Sequence, residues 1–73
     1  MTTQKEMRKI NKLMEIIQKE EKIGKIPLIM KSGISISYYE KLKPFLEEIY
    51  PHKVQYDRLT KVWFAIKQTE IDS

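Results

Sequence analysis

The sequence predicts an α+β fold in which three helices are followed by a two-stranded antiparallel β-hairpin. Apolar residues recur with the helical period up to about residue 50 and alternate with the strand period over about residues 53–67. Gly24 and Gly33 divide the helical part into three segments, since glycine is favoured at helix ends. A chain of 73 residues can form one small core, so we expect a single domain over residues 1–73.

The first helix is predicted over about residues 4–22. Thr3 and Glu6 have the spacing of a capping box, in which both side chains accept hydrogen bonds from backbone N–H groups at the helix start. Gly24 is predicted to terminate the helix in the left-handed conformation. An apolar stripe is expected to pack on the third helix or on a partner subunit: Met7, Ile10, Leu13, Met14 and Ile17.

The second helix is predicted over about residues 26–32. Pro27 fits a first helical turn, because its missing N–H would have no partner there. Gly33 is predicted to end this helix. Its apolar residues are expected to be mostly buried: Leu28, Ile29 and Met30.

The third helix is predicted over about residues 35–50, with Ser35 as its N-cap. Pro44 removes one backbone hydrogen bond, so the helix either kinks or breaks there. Tyr38 and Tyr39 are adjacent, and only one of them can face the core. We favour a core stripe of Tyr39, Leu42, Leu46 and Ile49, supplemented by Phe45. A stripe of Tyr38, Leu42, Phe45 and Ile49 is nearly as regular.

The hairpin is predicted over about residues 53–67, with a polar connector from Asp57 to Thr60. Trp63 either closes the core over the first helix or anchors an interface with another molecule, and we favour the core. The tail over residues 68–73 has no pattern and is expected to fray.

Composition and charge exclude several classes of protein. The net charge is +4 and the isoelectric point is about 9.4, as in many nucleic-acid-binding domains, although a solvated lysine-rich face gives the same values. The absence of cysteine excludes disulfides and zinc-thiolate sites. No apolar run is long enough to span a bilayer and no signal peptide is evident, so we expect a cytoplasmic protein.

The sequence lacks the motifs of catalysis. His52 has no carboxylate, serine or cysteine at motif spacing, and it is better interpreted as part of a helix end. The adjacent pairs Glu20–Glu21 and Glu47–Glu48 diverge on a helix and cannot form an acid/base dyad. There is no glycine-rich phosphate loop and no metal-ligand spacing. We therefore predict that the protein is not an enzyme and that it has no cofactor, metal or small-molecule ligand.

Residues 25–49, KIPLIMKSGISISYYEKLKPFLEEI, resemble a helix-turn-helix unit. Gly33, Ile34 and Ser35 occupy its turn, and Tyr39 and Leu42 fall where that pattern is apolar. With the hairpin that follows, the chain resembles the small winged helix-turn-helix DNA-binding regulators of archaea and of archaeal viruses and plasmids over about residues 5–67. It departs from them in a proline within the third helix and in the few basic residues at the tip of the hairpin, or wing.

The resemblance implies a sequence-specific, double-stranded-DNA-binding transcriptional regulator that represses by occupying a promoter. Its third helix would enter the major groove, which admits one α-helix. A homodimer, which we favour over a monomer, would read half-sites about one helical turn apart. The candidate DNA-binding residues are Lys25, Lys31, Ser35, Ile36, Ser37, Tyr38, Glu40, Lys41, Arg58 and Lys61.

Within this set, the residues of the third helix would contact bases or phosphates, while Lys25 and Lys31 would contact phosphates. Arg58 and Lys61 flank the turn of the wing, from which they would follow the DNA backbone or enter a narrow minor groove. Lys43 is interpreted as a solubilising charge.

Two other functions remain open. A winged-helix domain can serve as a protein–protein interaction module in a transcription or replication assembly. The basic, amphipathic first helix is also compatible with a membrane surface, although its four glutamates argue against that interpretation.

Overall fold

A computed structural model describes residues 3–66 and confirms the α+β class. Its helices are α1 (Gln4–Glu20), α2 (Lys25–Ser32) and α3 (Ile36–Ile49), and its strands are β1 (Lys22–Gly24), β2 (Val54–Asp57) and β3 (Val62–Ala65). This architecture is compatible with a winged helix. The predicted fraying of residues 68–73 lies outside the described residues.

The sheet has three strands rather than two, all antiparallel, in the order β1-β3-β2. Trp63 of the central strand pairs with Ile23 of β1 on one side and with Tyr56 of β2 on the other. The hairpin prediction is therefore correct for β2 and β3, while β1 was not predicted. A strand of three residues is too short to show alternation, and its pairing with β3 links distant parts of the sequence.

Strand β1 also corrects the predicted end of the first helix. α1 stops at Glu20, and Glu21 takes the left-handed backbone (φ 69°) expected of the terminator, with its N–H bonded to the Ile17 carbonyl. Gly24 instead has an extended backbone (φ −81°, ψ 175°) and is the N-cap of α2. Pairing with β3 requires extended backbone over these residues, so the helix has to end before them. At the opposite end of α1, the predicted capping box of Thr3 and Glu6 is present.

The turn between α2 and α3 follows the local signals in the sequence. Gly33 has φ 73° and ends α2, with its N–H bonded to the Ile29 carbonyl. The Ser35 hydroxyl accepts a hydrogen bond of 3.1 Å from the Tyr38 N–H and caps α3. Pro44 does not break α3, which continues to Ile49.

Replacing Gly33 with alanine is expected to lower the free energy of unfolding by about 1 kcal/mol, because a side chain disfavours the left-handed backbone. No atom lies within 4 Å of the position that its Cβ would occupy, so backbone strain is the whole cost. Asn tolerates this conformation better, and Gly33→Asn should cost less than Gly33→Ala in urea unfolding. Equal costs for the two variants would contradict this explanation.

The core joins every element. Its buried side chains are Ile10, Leu13, Ile17, Ile23, Leu28, Ile29, Tyr39, Leu42, Leu46, Val54 and Trp63. The favoured orientation of Tyr39 is confirmed, while Tyr38 is half-buried at the edge of the core. Trp63 is 0% exposed, which confirms its predicted place in the core and excludes it as an interface anchor.

Two apolar residues are more exposed to solvent than predicted. Met30 is 75% exposed because it lies on the face of α2 opposite Leu28 and Ile29, and Ile49 is 36% exposed at the end of α3. The apolar stripe of α1 packs within the chain, since Ile10 and Ile17 are fully buried.

Candidate nucleic-acid interface

The first two turns of α3 present a continuous exposed face. Ile36 is 53% exposed, and Ser37, Glu40 and Lys41 are exposed beside it. The face results from the helical period, because Tyr39 and Leu42 point into the core and leave the intervening positions outside. The structure therefore brings four of the predicted residues onto one surface of α3.

Ser35 and Tyr38 lie at the margin of this face. The Ser35 hydroxyl already accepts a hydrogen bond from the backbone of α3, although it keeps a proton to donate. The Tyr38 ring packs against the core, which leaves only part of the residue exposed. Both residues hold the start of the helix in place as well as lying beside the exposed face.

Two of the charged residues on α3 form ion pairs with other elements. Lys25 at the start of α2 lies 2.7 Å from a Glu40 carboxylate oxygen, and Lys41 lies 3.1 Å from a Glu6 carboxylate oxygen on α1. The hydrogen bond and charge of Lys25 lower the pKa of Glu40. The backbone N–H of Thr3, followed by the side chain of Lys41, lowers the pKa of Glu6. Both carboxylates are thus ionised at neutral pH.

A depression of about 290 Å³ lies between α2, α3 and the hairpin. It contains three cations and one carboxylate, so its net charge is positive. Its walls are formed by Lys25, Tyr39, Glu40, Lys43, Tyr56 and Lys61. We name it the basic depression.

Lys43 and Tyr56 line the depression although neither is among the predicted DNA-binding residues, and the sequence favours a solubilising role for Lys43. The Lys43 ammonium lies 4.0 Å from the centroid of the Tyr56 ring, a cation–π contact that holds it at the depression. Lys43 follows Glu40 by three residues on α3, which places the two on neighbouring positions of the helix surface. That spacing was visible in the sequence, but the partner on β2 was not.

The hairpin directs its two predicted cations to different places. Lys61, in the left-handed backbone (φ 58°), lines the basic depression. Arg58 lies 3.5 Å from a Glu47 oxygen, toward the C-terminal half of α3. At the start of the hairpin turn the Asp57 carboxylate accepts hydrogen bonds from the N–H groups of Leu59 and Thr60, and the Leu59 bond contributes most to lowering the pKa of Asp57. The wing therefore adds one cation to the site rather than two.

Lys31 lies at the other end of α2, where its ammonium is 3.7 Å from a Glu20 oxygen. Like Arg58, Lys31 lies outside the exposed face of α3, its margin and the basic depression, whereas the other eight predicted residues lie within one of them.

Within residues 3–66, no group of three or more His, Cys, Asp or Glu side chains could hold a metal ion. No helix in this part of the chain is long and apolar enough to cross a membrane.

A comparison with known proteins finds no matching family model, no matching curated protein and no matching solved structure.

Proposed function

We propose that the protein binds double-stranded DNA in the cytoplasm as a sequence-specific transcriptional repressor, a binding protein rather than an enzyme. The observation that carries this proposal is the exposed face of α3 beside the basic depression. A helix whose first turns are free can enter the major groove, while adjacent cations contact the phosphates on its flank.

The side chains suit these two tasks. Ser37 can donate to or accept from base edges, and Ile36 can contact a thymine methyl group. Lys43 and Lys61 carry charge to the side of α3, where the sugar–phosphate backbone of an occupied groove would pass. The Lys25 side chain forms an ion pair with Glu40 and also lines the basic depression. It thereby holds the start of α2 against α3.

A homodimer is the form that we propose for operator binding. Two copies double the contacts that one small domain makes, and their two-fold symmetry would match half-sites about one helical turn apart.

The salt dependence of binding tests the role of the basic depression. Each phosphate contact contributes about 0.9 to the slope of log K against log salt concentration, so Lys43→Gln and Lys61→Gln should each reduce the slope by about one. The affinity for specific and scrambled duplexes should fall by the same factor, since phosphates carry no sequence information. The measurement is fluorescence anisotropy with a duplex from upstream of the protein's own gene, against a scrambled one.

Lys53→Gln is the matched control, because Lys53 is exposed and does not line the depression. It should leave the slope nearly unchanged. If all three variants reduce the slope equally, the cations of the depression have no special role.

A protein–protein interaction module is the second candidate function. One observation favours it: Ile26 (53% exposed) and Met30 lie one turn apart on the outward face of α2 and form a small apolar surface. If the protein binds no duplex even at low salt, this function takes precedence over DNA binding.

A further inference from the structure

The outward face of α1 carries a row of basic side chains that the proposed α3 interface does not use. Its members are Lys5, Arg8, Lys12 and Lys19, and we name this row the α1 ridge. All four are exposed, and their steps of three, four and seven residues keep them on one side of a helix. At 1.5 Å per residue the ridge is about 21 Å long.

Within residues 3–66, ion pairs involve Lys25, Lys31, Lys41 and Arg58, and none of the four cations of the ridge. Glu15 is the one carboxylate on this side of α1, and it forms no ion pair with the ridge. The ridge therefore carries more positive charge outside ion pairs than the α3 site, where Lys25 and Lys41 are each paired with a carboxylate.

A lipid surface does not fit the ridge. An interfacial helix inserts its apolar face into the bilayer, but the apolar residues Ile10, Leu13 and Ile17 of α1 are all fully buried in the core. An interface with a folded protein is also poorly supported, because such interfaces depend on buried aromatic or apolar anchors. The ridge has no aromatic residue, and Ile16 beside it is half-buried.

The chemistry that remains is that of a regular row of phosphates. Both strands of a duplex carry phosphates at regular intervals, so a ridge of about 21 Å runs past several of them. Contacts of this kind require cations and no base-reading groups.

The ridge also faces away from the proposed α3 interface. α1 packs on α2, α3 and β3 through its buried stripe, so its opposite side points outward. The ridge and the exposed face of α3 thus lie on different helices, each on the side turned away from the core. We propose that the α1 ridge binds the phosphate backbone of a second DNA segment, so that the protein bridges two duplexes. This inference rests on the proposed function of α3.

A bridging assay with Arg8→Gln/Lys12→Gln tests the ridge. Glutamine keeps the helix propensity, so the variant should fold normally, as its circular dichroism and melting temperature will show. Protein is bound to an immobilised duplex at about 100 mM salt, and retention of a second, fluorescent duplex is measured. The control is Lys22→Gln/Lys53→Gln, which removes the same charge outside the ridge. Light scattering checks that all forms have the same oligomeric state.

The expected result is that Arg8→Gln/Lys12→Gln binds a single duplex within about threefold of the wild type, while retention of the second duplex falls about tenfold or more. The control should retain the second duplex as the wild type does. Bridging that survives in Arg8→Gln/Lys12→Gln overturns the inference, as does equal loss of single-duplex binding and bridging, which would place the ridge and α3 on one interface.

The assay separates the inference from the proposed function. If wild-type protein binds one duplex but retains no second one, only the inference that the α1 ridge binds DNA is contradicted. Wild-type protein that binds no duplex contradicts both. Ridge-dependent binding of a labelled polyglutamate peptide, without retention of a second duplex, would assign the ridge to an acidic protein segment and would also overturn the inference.

Discussion

Replacing Trp63 with alanine is expected to lower the free energy of unfolding by about 3–5 kcal/mol, which is a large part of the stability of a small domain. Trp63 is fully buried and lies on the central strand of the sheet, between Ile23 of β1 and Tyr56 of β2. Its ring centroid is 5.0 Å from that of Tyr56. Loss of the indole therefore leaves a cavity where both strand pairs meet the helices.

The indole also has a polar contact. Its Nε1–H donates a hydrogen bond of 2.8 Å to the Tyr39 hydroxyl, and burial raises the pKa of Tyr39. Tyr39→Phe should cost about 1–3 kcal/mol, because it leaves this buried N–H without an acceptor. Tyr39→Phe thus isolates the hydrogen bond from the packing that Trp63→Ala removes.

Urea unfolding followed by far-ultraviolet circular dichroism measures both effects without the tryptophan signal. Phe64→Ala is the control on the same strand, since Phe64 is only partly buried and points to the other face of the sheet. It should cost about 1 kcal/mol. A Trp63→Ala cost as small as that of Phe64→Ala would contradict the central place of the indole.

Ser37→Glu is expected to weaken duplex binding about 100-fold, equivalent to about 2.7 kcal/mol, while leaving the fold intact. Ser37 is exposed in the first turn of α3, so the added carboxylate would face the phosphates that line the groove. The same carboxylate near a helix N-terminus is favourable for the helix itself. A loss of affinity without a loss of stability would therefore report on the interface alone.

Gln55→Glu is the matched control, because it adds the same charge at an exposed position of β2 outside the basic depression. Its effect on affinity should stay below about threefold. If Ser37→Glu binds as tightly as Gln55→Glu in an anisotropy titration, α3 does not enter the groove.

The features of the fold that arise from residues close together in the sequence could be predicted from it. The turn at Gly33 and the caps at Thr3 and Ser35 arise from local backbone chemistry, and all three are present. Strand β1 could not be predicted, because three residues become a strand only by pairing with β3. For the same reason α1 is predicted to run to about residue 22, with Gly24 as its terminator, whereas it ends at Glu20.

In the candidate site, too, the features set by local sequence could be predicted and those set by distant contacts could not. The exposed face of α3 could be predicted once Tyr39 was placed in the core, since the helical period then fixes Ser37 and Lys41 outside. The ion pair of Lys41 with Glu6 and the contact of Lys43 with Tyr56 join distant parts of the chain, and no pattern in the sequence indicates them. The charges that α3 offers to a ligand therefore depend on tertiary contacts.

The most direct test of the α3 interface is a nuclear magnetic resonance titration of the labelled protein with a short duplex. Below one duplex per protein, the largest shifts in backbone amide signals are expected over residues 35–41, with smaller shifts at Lys43 and Lys61. Signals of the α1 ridge should move only when the duplex is in excess. Shifts confined to the outward face of α2 or to α1, with residues 35–41 unchanged, would contradict DNA binding by α3.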